Sequence, residues 1–325
     1  MYFSIIIPFY NKKDRVDLSI HSVLNQTCAD FEIILVDDFS NSADAIYLYD
    51  LVADIHKANN YQIRLIRNKT NKGPGYSRNV GIDSSLGNVL IFLDADDCLT
   101  PNYLETIKDV FEKNKCSVLI SKTIESDTGI IRPNFDKLQS KNLIFEVSKN
   151  IFSTDDFVGA FCEDPIFCGC ANVAISRNVL DVIKFNEVDR NFEDWLFFYK
   201  VCSLTSSEIL FQKICEGVIY FNESSDSLSR KILKRNEITF PTWFNDFSFD
   251  FRFTHFLYFN WLFSVIKRSS GFVDRIHIFA KFFNSRFYKK SPIWRFFIPT
   301  IMLLFNLDLA VIYFSKFWKK IQYDR

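Results

Sequence analysis

Residues 89–93, Val-Leu-Ile-Phe-Leu, are five consecutive apolar positions that stop at three carboxylates, Asp94, Asp96 and Asp97. Such a run reads as a buried strand, because a strand covered on both faces shows continuous rather than alternating hydrophobicity. A strand that surfaces and at once presents three like charges is costly unless a cation sits among them. Oxygen-only ligands of this kind suit Mg²⁺ or Mn²⁺, held with the help of substrate phosphates. The plainer alternative is a helix cap, since Asp is a favoured N-cap. Thr100 and Pro101 already supply a cap and a first helical position for the next helix. The carboxylates are then left without a local structural task.

The same logic runs upstream. A strand over residues 2–8 precedes Asn11, which reads as the N-cap of an amphipathic helix carrying Val16, Leu18, Ile20, Val23 and Leu24. A strand at 31–36 ends in Asp37 and Asp38, a helix follows at about 43–57, and a strand at 61–66 comes next. Gly73, Pro74 and Gly75 open a helix that leads back into residues 89–93. Strands alternating with helices over the first 120 residues predict an α/β fold, a mainly parallel central sheet with helices on both faces. Beyond residue 121 the pattern loosens into short apolar runs at 142–147, 172–176, 208–212 and 217–221, with a clear helix at 191–205. From about residue 238 the chain reads as helical and aromatic, with Phe272, Ile276, Phe279, Phe283 and Phe287 at helical spacing, a pattern that more often marks a core than a contact surface. The expected division is a domain over 1–236, in halves 1–120 and 121–236, and a C-terminal helical, aromatic-rich extension over 237–325.

Lys plus Arg and Asp plus Glu balance at 39 each, but unevenly along the chain. Residues 267–325 hold twelve Lys or Arg against three Asp, so the first 266 carry the opposite excess. A basic end suggests an anionic partner, and basic plus aromatic composition is what membrane-surface helices use. The apolar stretch 296–307 is bounded by Arg295 and Asp308 and interrupted by Pro299, whereas a spanning helix needs about 20 apolar residues. It is expected to lie on a membrane or pack on a partner rather than to span. The eight Cys include no Cys-x-x-Cys pair, and His21, His56, His255 and His277 are scattered, which argues against zinc. Residues 2–9 are too short for a secretory signal and lack a basic start, so free thiols in a reducing cytosol are expected. Peripheral attachment to the inner face of the cell membrane fits the basic end, and no nucleic-acid partner is expected.

Three polar clusters fall at predicted strand ends: Pro8 to Asn11, Asp37 with Asp38, and Asp94 to Asp97. Ligands of open α/β sheets bind at the carboxyl ends of the strands. The first cluster alone is compatible with a turn and the second with a cap. Together they outline a crevice with an aromatic stacking surface, a base-reading carboxylate and a metal site, a set that suits a nucleotide diphosphate.

Ser4-Ile-Ile-Ile-Pro-Phe-Tyr-Asn11, Ile34-Leu-Val-Asp-Asp38 and Leu93-Asp-Ala-Asp96 resemble the family 2 glycosyltransferases of the GT-A fold, as do Ser22-Val-Leu-Asn-Gln-Thr27 and Gly75-Tyr-Ser-Arg-Asn-Val-Gly81. The resemblance is close over about the first 100 residues and weaker over the next 130. It implies an inverting transfer from a nucleotide-activated sugar, usually a UDP-sugar, with Mn²⁺ or Mg²⁺ on the diphosphate. Residues 1–120 become the nucleotide-sugar-binding half and 121–236 the acceptor half. Carried over, Pro8 and Tyr10 line the base pocket with Tyr10 stacking on uracil, and Asn11 completes that donor motif. Asn11 is followed by Lys12, where many relatives carry acidic residues. Asp38 accepts the uracil N3–H, Asp94 contacts the ribose or sugar, Asp96 holds the metal, and Arg78 is similar to a basic residue near the donor phosphates. Asp97 is given no role.

An inverting transfer also needs a general base. Glu193-Asp194, followed by Trp195, resembles the family's Glu-Asp motif, with Asp194 as the base; the alternative is two acids complementing a helix dipole. Gly169, between Cys168 and Cys170, resembles the small-residue turn that floors the acceptor pocket, and a packed tight turn is an equal alternative. Ser227-Leu-Ser229 resembles the loop that closes on the donor, although relatives often carry Arg or His where this chain has Phe221-Asn222. The acceptor implied is a saccharide or lipid-linked saccharide of bacterial surface polysaccharide synthesis. Sugar-nucleotide synthesis would need a Gly-rich loop after the first strand, and residues 9–13 contain no Gly. A non-catalytic sugar-nucleotide-binding or scaffold protein of a glycan assembly complex is the remaining alternative.

Overall fold

The computed structural model describes residues 1–58, 62–164, 170–189, 192–205, 208–213 and 217–220, with isolated positions between 241 and 264. The chain divides into two compact units, Met1–Ser224 and Ser225–Arg325. In the second, Phe253, Leu257 and Trp261 recur every fourth residue and are buried. The aromatic positions from Phe272 to Phe287 and the basic stretch beyond residue 267 lie outside the described residues.

The first unit begins as the apolar runs dictate. Strand β1 (Phe3–Phe9) leads to helix α1 (Lys13–Leu24), β2 (Phe31–Asp37), α2 (Ser42–Ala58), β3 (Ile63–Arg67), α3 (Pro74–Ser84) and β4 (Val89–Phe92). A two-residue strand β5 (Cys98–Leu99) and α4 (Tyr103–Lys113) follow, then β6 (Val118–Ile120), β7 (Lys122–Glu125), β8 (Ile131–Arg132) and α5 (Phe135–Ser140). The chain continues through β9 (Phe145–Ser148), β10 (Ile151–Ser153), α6 (Phe157–Glu163), β11 (Val173–Ser176), α7 (Arg177–Leu180) and α8 (Glu193–Leu204), and closes with β12 (Ile209–Gln212) and β13 (Gly217–Tyr220). Nine strands form one sheet in the order β3-β2-β1-β4-β11-β6-β12-β10-β9. The four strands β3, β2, β1 and β4 are mutually parallel.

Side chains alternate across these strands, as a period of two requires. Ile5, Ile7 and Phe9 of β1 join Val16, Ile20 and Val23 of α1, Leu48 and Val52 of α2, and Leu104 and Ile107 of α4 in one buried cluster. On the other face, Phe92 meets Phe197 of α8 and Phe185 edge-on, with ring centroids 5.7 and 5.0 Å away. Phe185 and Phe197 are stacked at 3.6 Å. Pairs of this kind add about 0.5–1.5 kcal/mol beyond their buried area. Gly81 is a contact point between α3 and β1: a Cβ there would lie 2.3 Å from Cγ2 of Ile6.

Two expected helix starts are built differently. Asn11 is not the N-cap of α1; Lys12 is, without a side-chain bond, and the N–H of Lys13 is capped by Asp44 of α2 at 3.0 Å. Thr100 and Pro101 do not open α4. The N-cap is Asn102, and the N–H of Leu104 donates to Oε1 of Gln26 at 3.0 Å. In both cases the local side chain is engaged elsewhere. The Thr100 hydroxyl donates to the Gly217 carbonyl at 3.0 Å and accepts from its N–H at 2.9 Å. That contact belongs to a second sheet, in the order β5-β13-β7-β8, which the apolar pattern does not announce because Cys98–Leu99 is too short to show a period.

Gly81→Ala is expected to lower stability by about 1–3 kcal/mol, the usual cost of overpacking a filled contact. Urea unfolding checks it, with a lower midpoint at an unchanged slope.

Candidate active site

The ends of β1, β2 and β4 share one edge of the sheet, since Phe9 pairs with Asp37 and Ile6 with Phe92 in parallel register. Pro8 is half-buried and Tyr10 is 48% exposed, so its ring is available as a surface. Asn11 takes the left-handed conformation, φ 50°, which Asn tolerates better than most residues. Its Oδ1 accepts from the N–H and Nδ2 of Asn41 at 2.9 and 2.8 Å, and its N–H donates to Ser40 Oγ. The ends of β1 and β2 are thereby tied together.

Asp37 accepts from Arg67 at 2.7 Å and from the Ser40 N–H at 2.9 Å. Asp38 is buried and accepts from Asn68 Nδ2 and the Lys72 N–H at 2.9 Å and from the Gly73 N–H at 2.7 Å. Its carboxylate pins the loop that enters α3. Of roughly four acceptor positions on a carboxylate, one remains on Oδ2 for a ligand.

Helix α3 buries an unusual set: Ser77, Arg78 and Asn79. Asn79 donates to the Phe185 carbonyl and to Glu187 and accepts from the Phe185 N–H. Arg78 reaches further. Nη2 donates to Asp94 Oδ1 at 2.9 Å and Nη1 to Glu193 Oε1 at 3.0 Å, while the guanidinium lies 5.3 Å over the Phe185 ring. One side chain thus joins the strand-end carboxylates to the start of α8. That start is itself strained, because Phe192 adopts φ 61°, where a bulky side chain is an outlier. Glu193 is buried and Asp194 partly exposed, and Trp195 packs edge-on to Phe161 and Phe192.

Asp96 is paired with the ammonium of Lys12. Asp97 is buried, and its N–H closes a turn on the Asp94 carbonyl at 3.0 Å. Sequence reasoning missed Lys12, Asn68 and the bend at Phe192; Lys12 was visible only as a departure from the family pattern. Gly169, Phe221-Asn222 and Ser227-Leu-Ser229 lie outside the described residues. Of the turn around Gly169 only Cys170 is described, and it is buried.

Among the described residues no group of three or more His, Cys, Asp or Glu is placed to hold a metal by itself. The donor set nonetheless fits one kind of ion. Mg²⁺ and Mn²⁺ take one or two carboxylates and complete their shell with substrate phosphates, and Asp96 supplies such a carboxylate beside Asp94. No helix among the described residues is long and apolar enough to cross a membrane.

Residues 4–181 match the model of the family described as Glycosyl transferase family 2. An uncharacterized glycosyltransferase of Haemophilus influenzae is 39% identical over 111 residues, 34% of this chain and 35% of that one. This chain therefore spans about a third of that relative. The UDP-Glc:alpha-D-GlcNAc-diphosphoundecaprenol beta-1,3-glucosyltransferase WfgD of Escherichia coli is 24% identical over 71% of this chain and 82% of its own length. Among solved structures, S. aureus TarS 1-349 in complex with UDP-GlcNAc is similar with a TM-score of 0.58 and 18% identity, covering 94% of this chain and 79% of that one. That likeness shows the fold, a GT-A arrangement.

Both acids at the start of α8 are raised above the ordinary carboxylate range. Burial, and then the neighbouring Asp194, push the Glu193 carboxyl up to about 7, against the opposing pull of Arg78. Burial also raises Asp194, which Arg78 and the Trp195 N–H resist. The folded state therefore binds more protons than the unfolded chain between the ordinary 4.5 of a Glu and about 7, so stability falls as pH rises through that window. Glu193→Gln keeps an oxygen for Arg78 and removes that titration. Urea unfolding from pH 5 to 8 is expected to show a flatter decline in the variant, with Asp194 supplying what remains.

Proposed function

The chain belongs to glycosyl transferase family 2, and from that premise we propose an inverting, metal-dependent glycosyltransferase that uses a nucleotide-diphosphate donor, a UDP-sugar. The acceptor hydroxyl belongs to a saccharide, a lipid-linked one of bacterial surface polysaccharide synthesis. The observation that carries this reading is the Arg78 bridge, which ties Asp94 at the end of β4 to Glu193 at the start of α8, next to Asp194 in the chain. Glycosyl transfer by the relatives supports the reaction class, and the diphosphoundecaprenol named for the Escherichia coli relative supports a lipid-linked acceptor.

In this reading Pro8 and Tyr10 cover the base, with the exposed Tyr10 ring stacking on it. Asn11 fixes the loop beneath, and the remaining acceptor position of Asp38 takes the base N–H. Asp94, steadied by Arg78, faces the ribose or sugar. Arg78 is spent on two carboxylates, so its effect on the phosphates is through the placement of Asp94 and the local positive charge. Asp96 holds Mn²⁺ or Mg²⁺, which when bound supplies charge neutralisation of the leaving diphosphate.

Asp194 is the general base. It is partly exposed, whereas Glu193 is buried against Arg78, so Asp194 is the acid an acceptor can reach. Its raised pKa moves it toward the pH at which a base is most effective. Asp194 takes the acceptor hydroxyl's proton as that oxygen bonds to the anomeric carbon, and the bond from that carbon to the diphosphate oxygen breaks with its electron pair on the diphosphate. Glu193 and Trp195 orient this corner, and Gly169 floors the acceptor side. The basic, aromatic end of the chain attaches the enzyme peripherally to the inner face of the membrane.

Asp194→Asn is expected to lower transfer from a UDP-sugar roughly 10²–10⁴-fold while leaving UDP binding intact. Asp96→Ala is expected to lose Mn²⁺-stimulated transfer and donor hydrolysis. Unchanged turnover in both variants rules this mechanism out, whereas absence of transfer and of donor hydrolysis in the wild type leaves the non-catalytic reading. Co-sedimentation with anionic liposomes is expected for the full chain and not for one ending near Ser264.

A further inference from the structure

Lys12 stands where helix physics disfavours it. It is the N-cap of α1, a position that prefers Ser, Thr, Asp or Asn, and it makes no capping bond there. A cation at a helix N-terminus also meets the positive end of the helix dipole. The local sequence therefore gives no reason for a lysine. Its ammonium instead crosses to β4's acidic end and pairs with Asp96. The side chains are 32% and 12% exposed, so the pair is partly screened from water without being sealed.

Asp94 and Asp96 thus each carry a cation supplied by the chain itself, Arg78 on one and Lys12 on the other. The two cations differ. Arg78 is buried, bound on two sides and stacked over Phe185. Lys12 has one partner among the described contacts, a flexible stem and an exposed flank, so it can be displaced. A divalent ion approaching Asp96 must compete with that ammonium for the same oxygens, and the described residues offer it no cage of three acidic, His or Cys ligands as compensation.

We propose that Lys12 is the resident counter-ion of Asp96 and makes divalent-metal binding at Asp96 conditional on the donor's diphosphate. The inference rests on the reading of Asp96 as the metal carboxylate given above. In the absence of donor, Lys12 neutralises Asp96 and keeps metal affinity low. An entering diphosphate offers the ammonium a second anionic partner and brings phosphate oxygens for the metal. Lys12 moves its contact to the phosphates, and the Asp96 oxygens become free for the ion. Metal and nucleotide binding are then positively coupled, and the coupling is reciprocal.

The test is Mn²⁺ binding by the full-length protein, followed by electron paramagnetic resonance with and without UDP, with the UDP–Mn²⁺ signal measured separately. Wild-type protein is expected to bind Mn²⁺ weakly alone and much more tightly with UDP. Lys12→Gln is expected to bind Mn²⁺ alone roughly tenfold more tightly than wild type and to show a correspondingly smaller gain from UDP. Lys12→Arg, which keeps the charge, is expected to behave like wild type. Circular dichroism confirms that the variants are folded, as a partly exposed position allows. Equal Mn²⁺ affinity of Lys12→Gln and wild type without UDP, alongside loss of the UDP-dependent binding in Asp96→Asn, overturns the role of Lys12 and leaves the site reading standing. UDP-dependent binding that survives Asp96→Asn, or none in wild type, overturns the metal reading itself and this inference with it.

Discussion

Arg78 sits in the middle of a short helix, buried, and its guanidinium spans the gap between Asp94 at a strand end and Glu193 at a helix start 115 residues further on. That span ties the acidic end of β4 to the start of α8. A charge taken out of water is expensive, and it is tolerated only with close partners and good geometry. Here both carboxylates answer the guanidinium and the Phe185 face lies beneath it. Removing the arginine would leave two acids near each other with no cation, a loss of about 3–5 kcal/mol for a broken buried pair. The helix that carries it is accordingly fixed at both ends, by Gly81 against Ile6 and by Asp38 through the loop ending at Gly73.

The crevice concentrates negative charge in advance of any ligand. Among the described residues, Asp94, Asp96, Glu193 and Asp194 are met by two cations, Arg78 and Lys12. Burial first, and then repulsion from a neighbouring acid, raises the carboxyl pKa values at the start of α8. Like charges that cannot all remain ionised are arranged so that one acid is locked against a fixed cation and its neighbour is left accessible. Adjacent residues with the same chemistry are thereby distinguished by what each touches, Glu193 the buried guanidinium and Asp194 the Trp195 N–H.

The first 120 residues were largely legible because β1, β2 and β4 are apolar runs and the helices between them have buried stripes, so β1 to β4 and the edge where their polar ends meet follow from period alone. Both helix caps read from Asn11 and Thr100 were misplaced, since the caps come from Asp44 and Gln26, which are distant in sequence or on another element. Local patterns carry no information about a partner 78 residues away. The second sheet was invisible for the same reason: Cys98–Leu99 and Ile131–Arg132 are strands only because neighbours pair with them. At the site, the acids stood out as residue types, but their pairing did not. Nothing in the order of residues says that Arg78 chooses Asp94 and Glu193, that Lys12 chooses Asp96, or that the chain turns left-handed at Phe192.

Strand β5, which begins directly after the acidic turn, is held by β13, and Thr100 exchanges hydrogen bonds with Gly217 across 117 residues of chain. As the polypeptide emerges from the ribosome, the parallel strands and their helices can assemble early, because their contacts are comparatively close in sequence. The acidic turn cannot be clamped in place until residue 217 has been made, nor Arg78 receive its second carboxylate until residue 193 has. The acidic turn and the Arg78 bridge therefore set later than the parallel strands that carry them. Until then the carboxylates at the ends of the early parallel strands lack those clamps, so a chain released before residue 193 carries β1 to β4 without the contacts that join their acidic ends to the rest of the unit.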